Sequence, residues 1–210
     1  MKNFCDTYDV SRETFSKLKI YHSLLCEWQN KFNLVSNSSL EDAWNRHFLD
    51  SIQLFNLIPK NSKIMYDFGS GAGFPGMVLA IIANEKMPEL EVNLVESILK
   101  KTMYLNEVKK QTNTVVNILN SRIENLPSQV ADVITSRAMS SLKDLLGYAF
   151  PFCDKNTICI FPKGKKYNEE LAEAHKYWKF KCKILPSQQS EEGRILVISN
   201  ISKKKELNNA

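Results

Sequence analysis

Residues 64–76 read IMYDFGSGAGFPG and contain four of the seven glycines in this chain of 210 residues. The apolar start of this segment predicts a short buried strand over 64–68, and the apolar run that follows it predicts a helix over 76–84. Glycine between a strand and a helix permits a positive φ and lets the backbone approach a ligand closely. The segment therefore predicts the ligand-binding turn after the first strand of a doubly wound α/β sheet.

A turn of this kind is accompanied by an acidic residue at the end of the second strand. Residues 91–96 read EVNLVE and end on Glu96, whose carboxylate can accept both hydroxyl groups of a ribose. The GAGFPG sequence at 71–76 also fits the dinucleotide motif G-x-G-x-x-G. However, Asp67 would face the pyrophosphate of a dinucleotide, whereas its carboxylate suits the ammonium and sulfonium groups of S-adenosylmethionine. We therefore expect S-adenosylmethionine, with NAD or FAD and a purely structural glycine turn as the alternatives.

The composition limits the classes of protein to which the chain can belong. Its length suits one domain, or one domain with an extension. No apolar run approaches the length that spans a bilayer, and the first residues lack the apolar stretch of a signal peptide, so we expect a cytoplasmic protein with no membrane partner. The five cysteines include no C-x-x-C pair and the three histidines show no metal-ligand spacing, which predicts neither a disulfide framework nor a metal site.

The net charge of +5 is concentrated near the C-terminus. Residues 1–162 carry 17 basic and 17 acidic side chains, whereas residues 163–210 carry 11 basic and 6 acidic ones. A basic segment on a neutral body favours a polyanionic partner such as nucleic acid, and a solvated lysine-rich surface is the alternative.

The first 60 residues predict two helices. On the first, over 11–34, apolar residues recur every four positions at Ile20, Leu24, Trp28 and Phe32. Ser39 with Asp42 predicts a capping box at the start of a second helix, which ends before Pro59. The buried face of this second helix is predicted at Leu40, Trp44, Phe48, Ile52 and Phe55.

Beyond residue 60, strand and helix patterns alternate. We predict strands at 64–68, 91–96, 115–120, 131–136, 157–162, 180–185 and 194–201, and helices at 76–84, 98–111, 140–150 and 167–178. This alternation is the βαβ pattern of a mainly parallel sheet. Only residues 186–193 separate the last two strands, which is too short for a parallel crossover, so the closing pair should be an antiparallel hairpin.

Six local sequences occur in order along the chain and identify a family. They are WQNKFNL at 28–34, RHFLDS at 46–51, GAGFPG at 71–76, SRIE at 121–124, SRA at 136–138 and PKG at 162–164. As an ordered set, over about residues 20–200, they resemble the RsmG (GidB) family of bacterial 16S ribosomal RNA guanine-N7 methyltransferases. The resemblance implies an α/β, class I (Rossmann-like) methyltransferase fold: a mainly parallel seven-stranded sheet with an antiparallel last strand, plus an N-terminal helical extension.

The resemblance also implies a domain organisation and a reaction. A helical extension at 1–60 would precede an S-adenosylmethionine-dependent methyltransferase domain at 61–202. The residues after 202 carry no family motif, and their lysine run predicts a basic, disordered tail at 203–210. The enzyme would methylate N7 of one guanosine in 16S rRNA, either free or within the small ribosomal subunit. Guanine N7 already offers an in-plane lone pair, so catalysis needs alignment rather than a general base. The alternatives are a methyltransferase for another RNA or a small molecule, and a cofactor-binding protein without catalysis.

Cofactor contacts are expected at the glycine turn and at the neighbouring strand ends. The turn and its acidic partners suggest Asp67, Gly71, Gly73 and Glu96, and the resemblance adds Gly69, Phe74, Ile123, Glu124 and Arg137. For Glu124, capping of a helix is the alternative. Arg137 is also the expected catalytic residue, in a positioning role, because a guanidinium can grip a carboxylate, a phosphate or the O6 and N7 edge of guanine. A surface salt bridge is the alternative for Arg137.

RNA contacts are expected from lysines along the same edge, at Lys100, Lys101, Lys163, Lys165 and Lys166, with plain solvation as the alternative for each. Arg46, His47 and Asp50 form a polar cluster on the second helix, where Arg46 and Asp50 are one turn apart and are expected to form an ion pair. The sequence leaves open whether Arg46 and His47 contact RNA or clamp the helix onto the catalytic sheet.

Overall fold

The structure, a computed structural model, describes residues 2–204 and is centred on a seven-stranded sheet in the order β3-β2-β1-β4-β5-β7-β6. The strands are β1 (Ile64–Phe68), β2 (Glu91–Glu96), β3 (Asn117–Asn120), β4 (Val133–Thr135), β5 (Ile158–Lys163), β6 (Trp178–Pro186) and β7 (Arg194–Lys203). β1 to β5 pair in parallel, and β7 is antiparallel to both β5 and β6. The predicted fold class and the closing antiparallel hairpin are confirmed.

Helices cover both faces of the sheet, as parallel strands require. They are α1 (Lys2–Tyr8), α2 (Arg12–Gln29), α3 (Asn37–Leu40), α4 (Asp50–Ile52), α5 (Gly76–Lys86), α6 (Leu99–Thr112), α7 (Leu142–Ala149) and α8 (Tyr167–Tyr177). A π-helical turn spans Trp44–Leu49, and 3₁₀ turns span Phe55–Leu57, Ile123–Asn125 and Phe150–Phe152. Side chains of β1 alternate between two cores: Met65 packs with α2, α5 and α6, whereas Tyr66 and Phe68 pack with α7 and α8.

Helix α5 directly follows the glycine turn and lies under the N-terminal segment. Its residues from Gly76 to Ala83 are all buried, as expected for a helix that is apolar on every side. Near its end, Glu85 accepts hydrogen bonds from the backbone N–H of Ser11 at 3.1 Å and from the hydroxyl of Thr14. The N-terminal helices are therefore fixed to the element that also supports the glycine turn.

The first predicted helix is shorter than expected and buries a different face. α2 begins after Ser11, whose Oγ accepts a hydrogen bond from the Thr14 N–H, and it ends at Gln29 rather than at residue 34. Its buried positions are Thr14, Leu18, Tyr21, Leu25 and Gln29, whereas Ile20 of the predicted stripe is 37% exposed. Buried residues spaced by three and four positions follow the 3.6-residue helical period, but a strict spacing of four drifts around the helix. Leu24, Trp28 and Phe32 are half-buried and pack against the core, so the predicted stripe lies beside the most buried face of the helix and only its Ile20 is exposed.

The second predicted helix is broken into short pieces. The capping box at Ser39 is also wrong, because α3 begins earlier, after Ser36, and the Ser39 hydroxyl donates to the Ser36 carbonyl oxygen at 2.8 Å. The π-helical turn at Trp44–Leu49 then replaces a regular α-helical stretch. Because a π-helical turn is wider than an α-helical turn, residues four positions apart no longer lie directly above one another. Phe48 and Ile52 of the predicted face are buried.

β1 and β2 have the predicted bounds, and the ends of the other strands differ from the predictions by at most two residues. β3 begins at Asn117 because the backbone of Val115 binds the side chain of Asn84, and β6 begins earlier than predicted, at Trp178. β7 continues to Lys203, and the Lys204 N–H donates to the carbonyl oxygen of Tyr177 at 2.9 Å. The predicted basic tail thus starts inside a strand, and its residues 205–210 lie outside the described residues.

The close packing of the glycine turn against the N-terminal helices can be tested by substitution of Gly73. A Cβ on Gly73 would overlap the Tyr21 hydroxyl and lie 2.9 Å from Met77 Cβ, at a φ of +96°. Gly71 has a comparable φ of +58°, but a Cβ there would meet only the Gly69 carbonyl oxygen, at 3.8 Å. We expect Gly71→Ala to cost about 1–2 kcal/mol of unfolding free energy from backbone strain alone, and Gly73→Ala to cost several kcal/mol, because overpacking adds to the strain.

Urea denaturation of both variants measures this difference. Equal losses of unfolding free energy in the two variants would contradict the close packing of the turn against Tyr21.

Candidate active site

Two cavities lie side by side at the carboxyl edge of the parallel strands. The first, the β2 cavity, measures about 370 Å³ and is lined by residues that follow β1, β2 and β3. The second, the β5 cavity, measures about 430 Å³ and is lined by residues that follow β4 and β5 and by the loop between β6 and β7. Ala138, Met139 and Ser140 line both cavities, and we call this segment the shared wall.

Four of the residues expected at the cofactor line the β2 cavity: Gly69, Glu96, Ile123 and Glu124. Backbone donors fix the carboxylate of Glu96, since Oε2 accepts from the Gly71 N–H at 2.9 Å and Oε1 from the Ile98 N–H at 2.8 Å. Each carboxylate oxygen has a further lone pair for a ribose hydroxyl group. Ile123 is buried and adds apolar surface beside this carboxylate. These groups suit the adenosine part of S-adenosylmethionine.

Gly69 lies where the β2 cavity meets the shared wall. Its φ is +65°, and a Cβ there would lie 2.6 Å from Cγ and 2.7 Å from Sδ of Met139. Ala138, which precedes Met139, has a φ of +55°, an uncommon conformation for a residue other than glycine. The left-handed backbone at Ala138 therefore turns the wall so that Met139 packs directly on Gly69.

Asp67 does not reach a ligand, contrary to the sequence-based expectation. It is fully buried, with Oδ1 accepting from the Thr135 hydroxyl at 2.8 Å and Oδ2 from the Gly76 N–H at 3.2 Å. Burial raises the pKa of Asp67 to about 6, although these hydrogen bonds and the charge of Arg137 oppose the rise. Asp67 thus stabilises the turn and the start of α5 from the protein interior.

Gly73 and Phe74 also do not line the β2 cavity, and their expected contacts with the cofactor stay predictions. Phe74 is 4% exposed and stacks on Tyr21, with ring centroids 5.2 Å apart, and on His47, with centroids 4.8 Å apart. Gly71 is half-buried and does not line the cavity, but its N–H holds Glu96. The turn therefore has one side toward the cavity and one side packed on the N-terminal segment.

Arg137 joins the shared wall to the N-terminal segment. Its Nη1 donates to the carbonyl oxygen of Arg46 at 2.9 Å and to Asp50 Oδ2 at 3.3 Å, while Nη2 donates to His47 Nδ1 at 2.8 Å. The guanidinium carbon lies 5.2 Å from the centre of the Phe74 ring. We call these contacts the Arg137 clamp.

The Arg137 clamp bears on three sequence-based expectations. Arg137 lines the β5 cavity and not the β2 cavity, and its expected contact with the cofactor stays a prediction. Asp50 pairs with Arg137, and the expected ion pair between Arg46 and Asp50 is absent from residues 2–204, because the π-helical turn separates their side chains. Of the two roles left open for the cluster, His47 and Asp50 have that of a clamp onto the sheet.

The protonation of His47 suits its role in the Arg137 clamp. Burial, together with the positive charges of Arg137 and Arg46, lowers the pKa of His47 to about 4. The imidazole is neutral near pH 7, so Nδ1 accepts the Arg137 hydrogen bond and Nε2 carries the ring proton. Burial raises the pKa of Asp50, against the charge of Arg137 and a hydrogen bond from Gln53 at 2.8 Å.

Lys163 holds the shared wall from its other side. Its Nζ donates to Glu170 Oε2 at 2.7 Å and to the carbonyl oxygen of Ser140 at 3.1 Å, and its side chain is 8% exposed. The ammonium group is buried and paired, so the expected contact of Lys163 with RNA phosphates would require these bonds to open, and it stays a prediction. Arg194, which also lines the β5 cavity, uses only Nη1 within the described residues, for the carbonyl oxygens of Glu191 and Gly193.

The other basic residues expected at RNA are spread along the same edge of the molecule. Lys101 lines the β2 cavity, and the Lys100 ammonium lies 5.3 Å from the centre of the Phe32 ring. Lys165 forms an exposed ion pair with Glu192 at 2.8 Å, and Lys166 is exposed. Surface pairs of this type contribute little and break readily, so RNA contacts by these lysines and by the exposed Arg46 remain predictions.

Sequence reasoning missed several residues that line the cavities, including Ser97, Met139, Ser140 and Arg194. The position of Arg194 at this edge could have been predicted from the sequence. An antiparallel strand beside β5 starts where β5 ends, so its first residue must lie at the same sheet edge. No local pattern marks Met139, whose place depends on the backbone of Ala138.

Two further features of the described chain concern metals and membranes. Within residues 2–204, no group of three or more His, Cys, Asp or Glu side chains is arranged to hold a metal ion. No helix in that range is both long enough and apolar enough to cross a membrane.

Comparison with known proteins gives a consistent result. Residues 14–206 match the family described as GidB, rRNA small subunit methyltransferase G. The chain is 42% identical over 187 residues to the ribosomal RNA small subunit methyltransferase G of Jannaschia sp. (strain CCS1), with 89% of each protein covered. It is also 42% identical over 194 residues to the protein of that name from Paramagnetospirillum magneticum, with 92% of each covered.

The fold also resembles a solved structure of a protein in complex with AdoMet. TYW2 of M. jannaschii in complex with AdoMet aligns with a TM-score of 0.55 at 13% sequence identity, covering 81% of this chain and 78% of TYW2. At this identity the likeness concerns the fold alone. The chain belongs to the rRNA small subunit methyltransferase G family and is an S-adenosylmethionine-dependent rRNA methyltransferase.

Proposed function

We propose that the chain methylates N7 of a guanosine in 16S rRNA, free or within the small ribosomal subunit, in the cytoplasm. The observation that carries this proposal is the pair of cavities with one shared wall. One cavity offers a ribose acceptor and apolar surface, and the other presents the guanidinium of Arg194, of which only Nη1 donates hydrogen bonds within residues 2–204. Such an arrangement places a methyl donor in one cavity close to a methyl acceptor in the other, separated by only a few residues of backbone.

The β2 cavity would hold the cofactor. S-adenosylmethionine supplies an electrophilic methyl group on a sulfonium. Glu96 would accept the ribose hydroxyls, Ile123 would contact the adenine, and Gly69 would allow close approach of the backbone. Because backbone N–H groups already fix Glu96, its carboxylate loses little freedom when the nucleoside binds.

The β5 cavity would hold the target base. Guanine presents two acceptors, O6 and N7, on one edge, and Arg194 still has unused guanidinium donors at this cavity. The two carboxylates that line the cavity are both occupied, Asp50 by Arg137 and Glu170 by Lys163. Within the described residues the cavity therefore lacks a free carboxylate to remove a proton. This favours an acceptor atom, such as N7, that already carries a lone pair.

The shared wall would set the alignment of the two ligands. Arg137 fixes one end of it to the N-terminal segment, and Lys163 binds the carbonyl oxygen of Ser140 at the other end. Where no proton has to be removed, the rate depends on the distance and angle between donor and acceptor. Arg137 is then a positioning residue, as the sequence suggested, although it acts through the wall rather than by gripping the cofactor.

Loss of the Glu96 charge should weaken cofactor binding. We expect Glu96→Gln to reduce the affinity for S-adenosylmethionine by roughly 1–3 kcal/mol, the scale of a charge-assisted hydrogen bond. Isothermal titration calorimetry measures this loss, with Glu91→Gln, at the exposed start of the same strand, as the control. If wild-type protein bound the 2′,3′-dideoxy analogue as tightly as S-adenosylmethionine, the ribose role of Glu96 would be excluded.

Arg137 should affect the rate of methyl transfer more than ligand binding. We expect Arg137→Ala to slow single-turnover transfer by roughly 100-fold, because small misplacements of reacting atoms have effects of that size. Cofactor affinity should change little, since Arg137 does not line the β2 cavity. Arg137→Lys should not restore the rate, because a single ammonium group cannot reproduce the fork of contacts.

Arg46→Ala is the matched control, because Arg46 contributes only its carbonyl oxygen to the clamp. Its transfer rate at saturating RNA should equal that of the wild type. A slow Arg46→Ala variant beside an unaffected Arg137→Ala variant would show that the cluster acts on RNA instead.

The modified atom can be identified directly. We expect mass spectrometry of 16S rRNA nucleosides to show 7-methylguanosine in cells that contain the gene and a loss of it in cells that lack it. In vitro, replacement of guanosine by 7-deazaguanosine should abolish transfer, because the nucleophilic lone pair is absent. Methylation of a different atom, or of another RNA or a small molecule only, would contradict the proposal.

A further inference from the structure

A third concave surface, larger than either cavity, lies on the α7 and α8 side of the sheet. We call it the α7 groove; its volume is about 960 Å³. It begins at Glu124 and Tyr148, which also line the β2 cavity, and passes over the exposed side of α7 to the junction of α8 with β6. The groove is therefore continuous with the site at which the cofactor would bind, and the reaction described above makes no use of it.

Positive charge is concentrated at the end of the α7 groove that is farther from the β2 cavity. Lys176, Lys203 and Lys204 line this end, and neither Lys203 nor Lys204 forms an ion pair within residues 2–204. Lys176 pairs with Glu173 at 2.6 Å, but both side chains are exposed, so the pair is readily exchanged for another anion. This end of the groove therefore offers several ammonium groups to a polyanion.

Two acidic residues line the groove, and one of them is partly occupied. Asp144 receives a hydrogen bond from the Ser141 hydroxyl at 2.7 Å, as part of the cap of α7, and it lies 3.6 Å from Lys143. Glu124 lies where the groove meets the β2 cavity. The lining of the groove thus carries four lysines against two carboxylates.

Aromatic surface lies between these lysines. Tyr177 is 50% exposed, and the ammonium of Lys143 lies 5.1 Å from the centre of its ring. Trp178 lines the groove beneath it, with Nε1 donating to the carbonyl oxygen of Lys143 at 3.1 Å. A surface with lysines around an accessible aromatic ring can bind single-stranded RNA, because phosphates pair with ammonium groups while bases stack on aromatic faces.

Gly147 keeps part of the groove open. It lies on the exposed side of α7, its φ is not positive, and a Cβ there would only make ordinary contact with Trp178, at 3.8 Å. Neither the backbone conformation nor steric overlap requires glycine at this position. Glycine lowers helix stability relative to alanine, so its effect here is to leave room beside the indole of Trp178.

We propose that the α7 groove binds a single-stranded segment of the RNA substrate, next to the reaction site. The inference rests on the proposed function only in that the partner is RNA. The lysines hold phosphates and Tyr177 stacks on a base, without reading its identity. An acidic protein segment would need the same ammonium groups but would gain little from an exposed ring, so RNA accounts for more of the surface.

The test uses a 12-residue oligouridine and the full-length protein. This probe contains no guanine and cannot accept a methyl group at N7, so its binding is independent of the proposed reaction. For Lys176→Ala combined with Lys203→Ala, we expect roughly tenfold weaker binding at about 0.1 M salt and a salt dependence lower by about 1.4, or about 0.7 for each lost phosphate contact. Fluorescence anisotropy at several salt concentrations measures both quantities.

Two uncharged changes test the aromatic part of the groove. Tyr177→Ala should weaken oligouridine binding roughly tenfold without changing the salt dependence, because stacking releases no counterions. Gly147→Leu should weaken binding in the same way by filling the space beside Trp178. Since leucine favours helix over glycine, this variant should remain folded, and circular dichroism verifies that it does.

The matched control for the lysine variant is Lys60→Ala combined with Lys110→Ala, an equal change of net charge at exposed positions outside the groove. If this control lost as much affinity as the groove variant, binding would reflect net charge and the proposal would fail. It would also fail if the groove variants bound oligouridine like the wild type, or if only an acidic peptide bound there. The rate of 7-methylguanosine formation at saturating rRNA is measured for the same groove variants. If that rate is unchanged, a change in oligouridine binding concerns the groove and not the proposed reaction.

Discussion

The guanidinium of Arg137 links the N-terminal segment to the wall between the two cavities, and the arrangement of the site depends on this link. Its contacts with Asp50, His47 and the carbonyl oxygen of Arg46 use several donors of the planar fork. The charge is largely buried, so removal of one partner would leave the other uncompensated in a poorly solvated place. The N-terminal helices thus belong functionally to the catalytic domain, although the sequence presents them as an extension.

The glycine turn is held from two sides in a comparable way. Below it, Asp67 binds the start of α5 and the end of β4, and beside it Phe74 stacks between Tyr21 and His47. Arg137 covers the Phe74 ring, so the same residue supports both the turn and the shared wall. The turn can then present Gly69 to the β2 cavity and hold Glu96 through the Gly71 N–H with little freedom to move, which lowers the entropic cost of binding a ligand.

The sequence predicted the order of strands and helices well because each depends on local patterns of apolar residues. It also predicted that Gly69, Glu96 and Ile123 lie at one edge, since the carboxyl ends of parallel strands meet there. It could not distinguish the two sides of the turn. Asp67 and Phe74 belong to the same motif as Gly69, but the packing of α2 and of the π-helical turn determines that they face inward.

The partners of the charged residues also could not be predicted from the sequence, but for a different reason. Lys163 follows β5 at the expected edge, yet Glu170 on α8 neutralises it, and this pairing depends on how α8 packs on the sheet. The ion pair expected between Arg46 and Asp50 assumed a regular α-helix, and the π-helical turn removes that geometry. Short-range spacing therefore located the charges, whereas their partners depended on tertiary structure.

The most direct test of the link between the N-terminal segment and the site is a double-mutant cycle on the rate of methyl transfer. Single-turnover rates are measured with saturating 16S rRNA and S-adenosylmethionine for Arg137→Ala, Asp50→Asn and the combined variant, after each has been verified as folded. If the two residues act through one clamp, the combined variant should be about as slow as the slower single variant, because residues that act as a unit are not additive. Losses that multiply would show that Asp50 and Arg137 act independently and would contradict the role of the clamp.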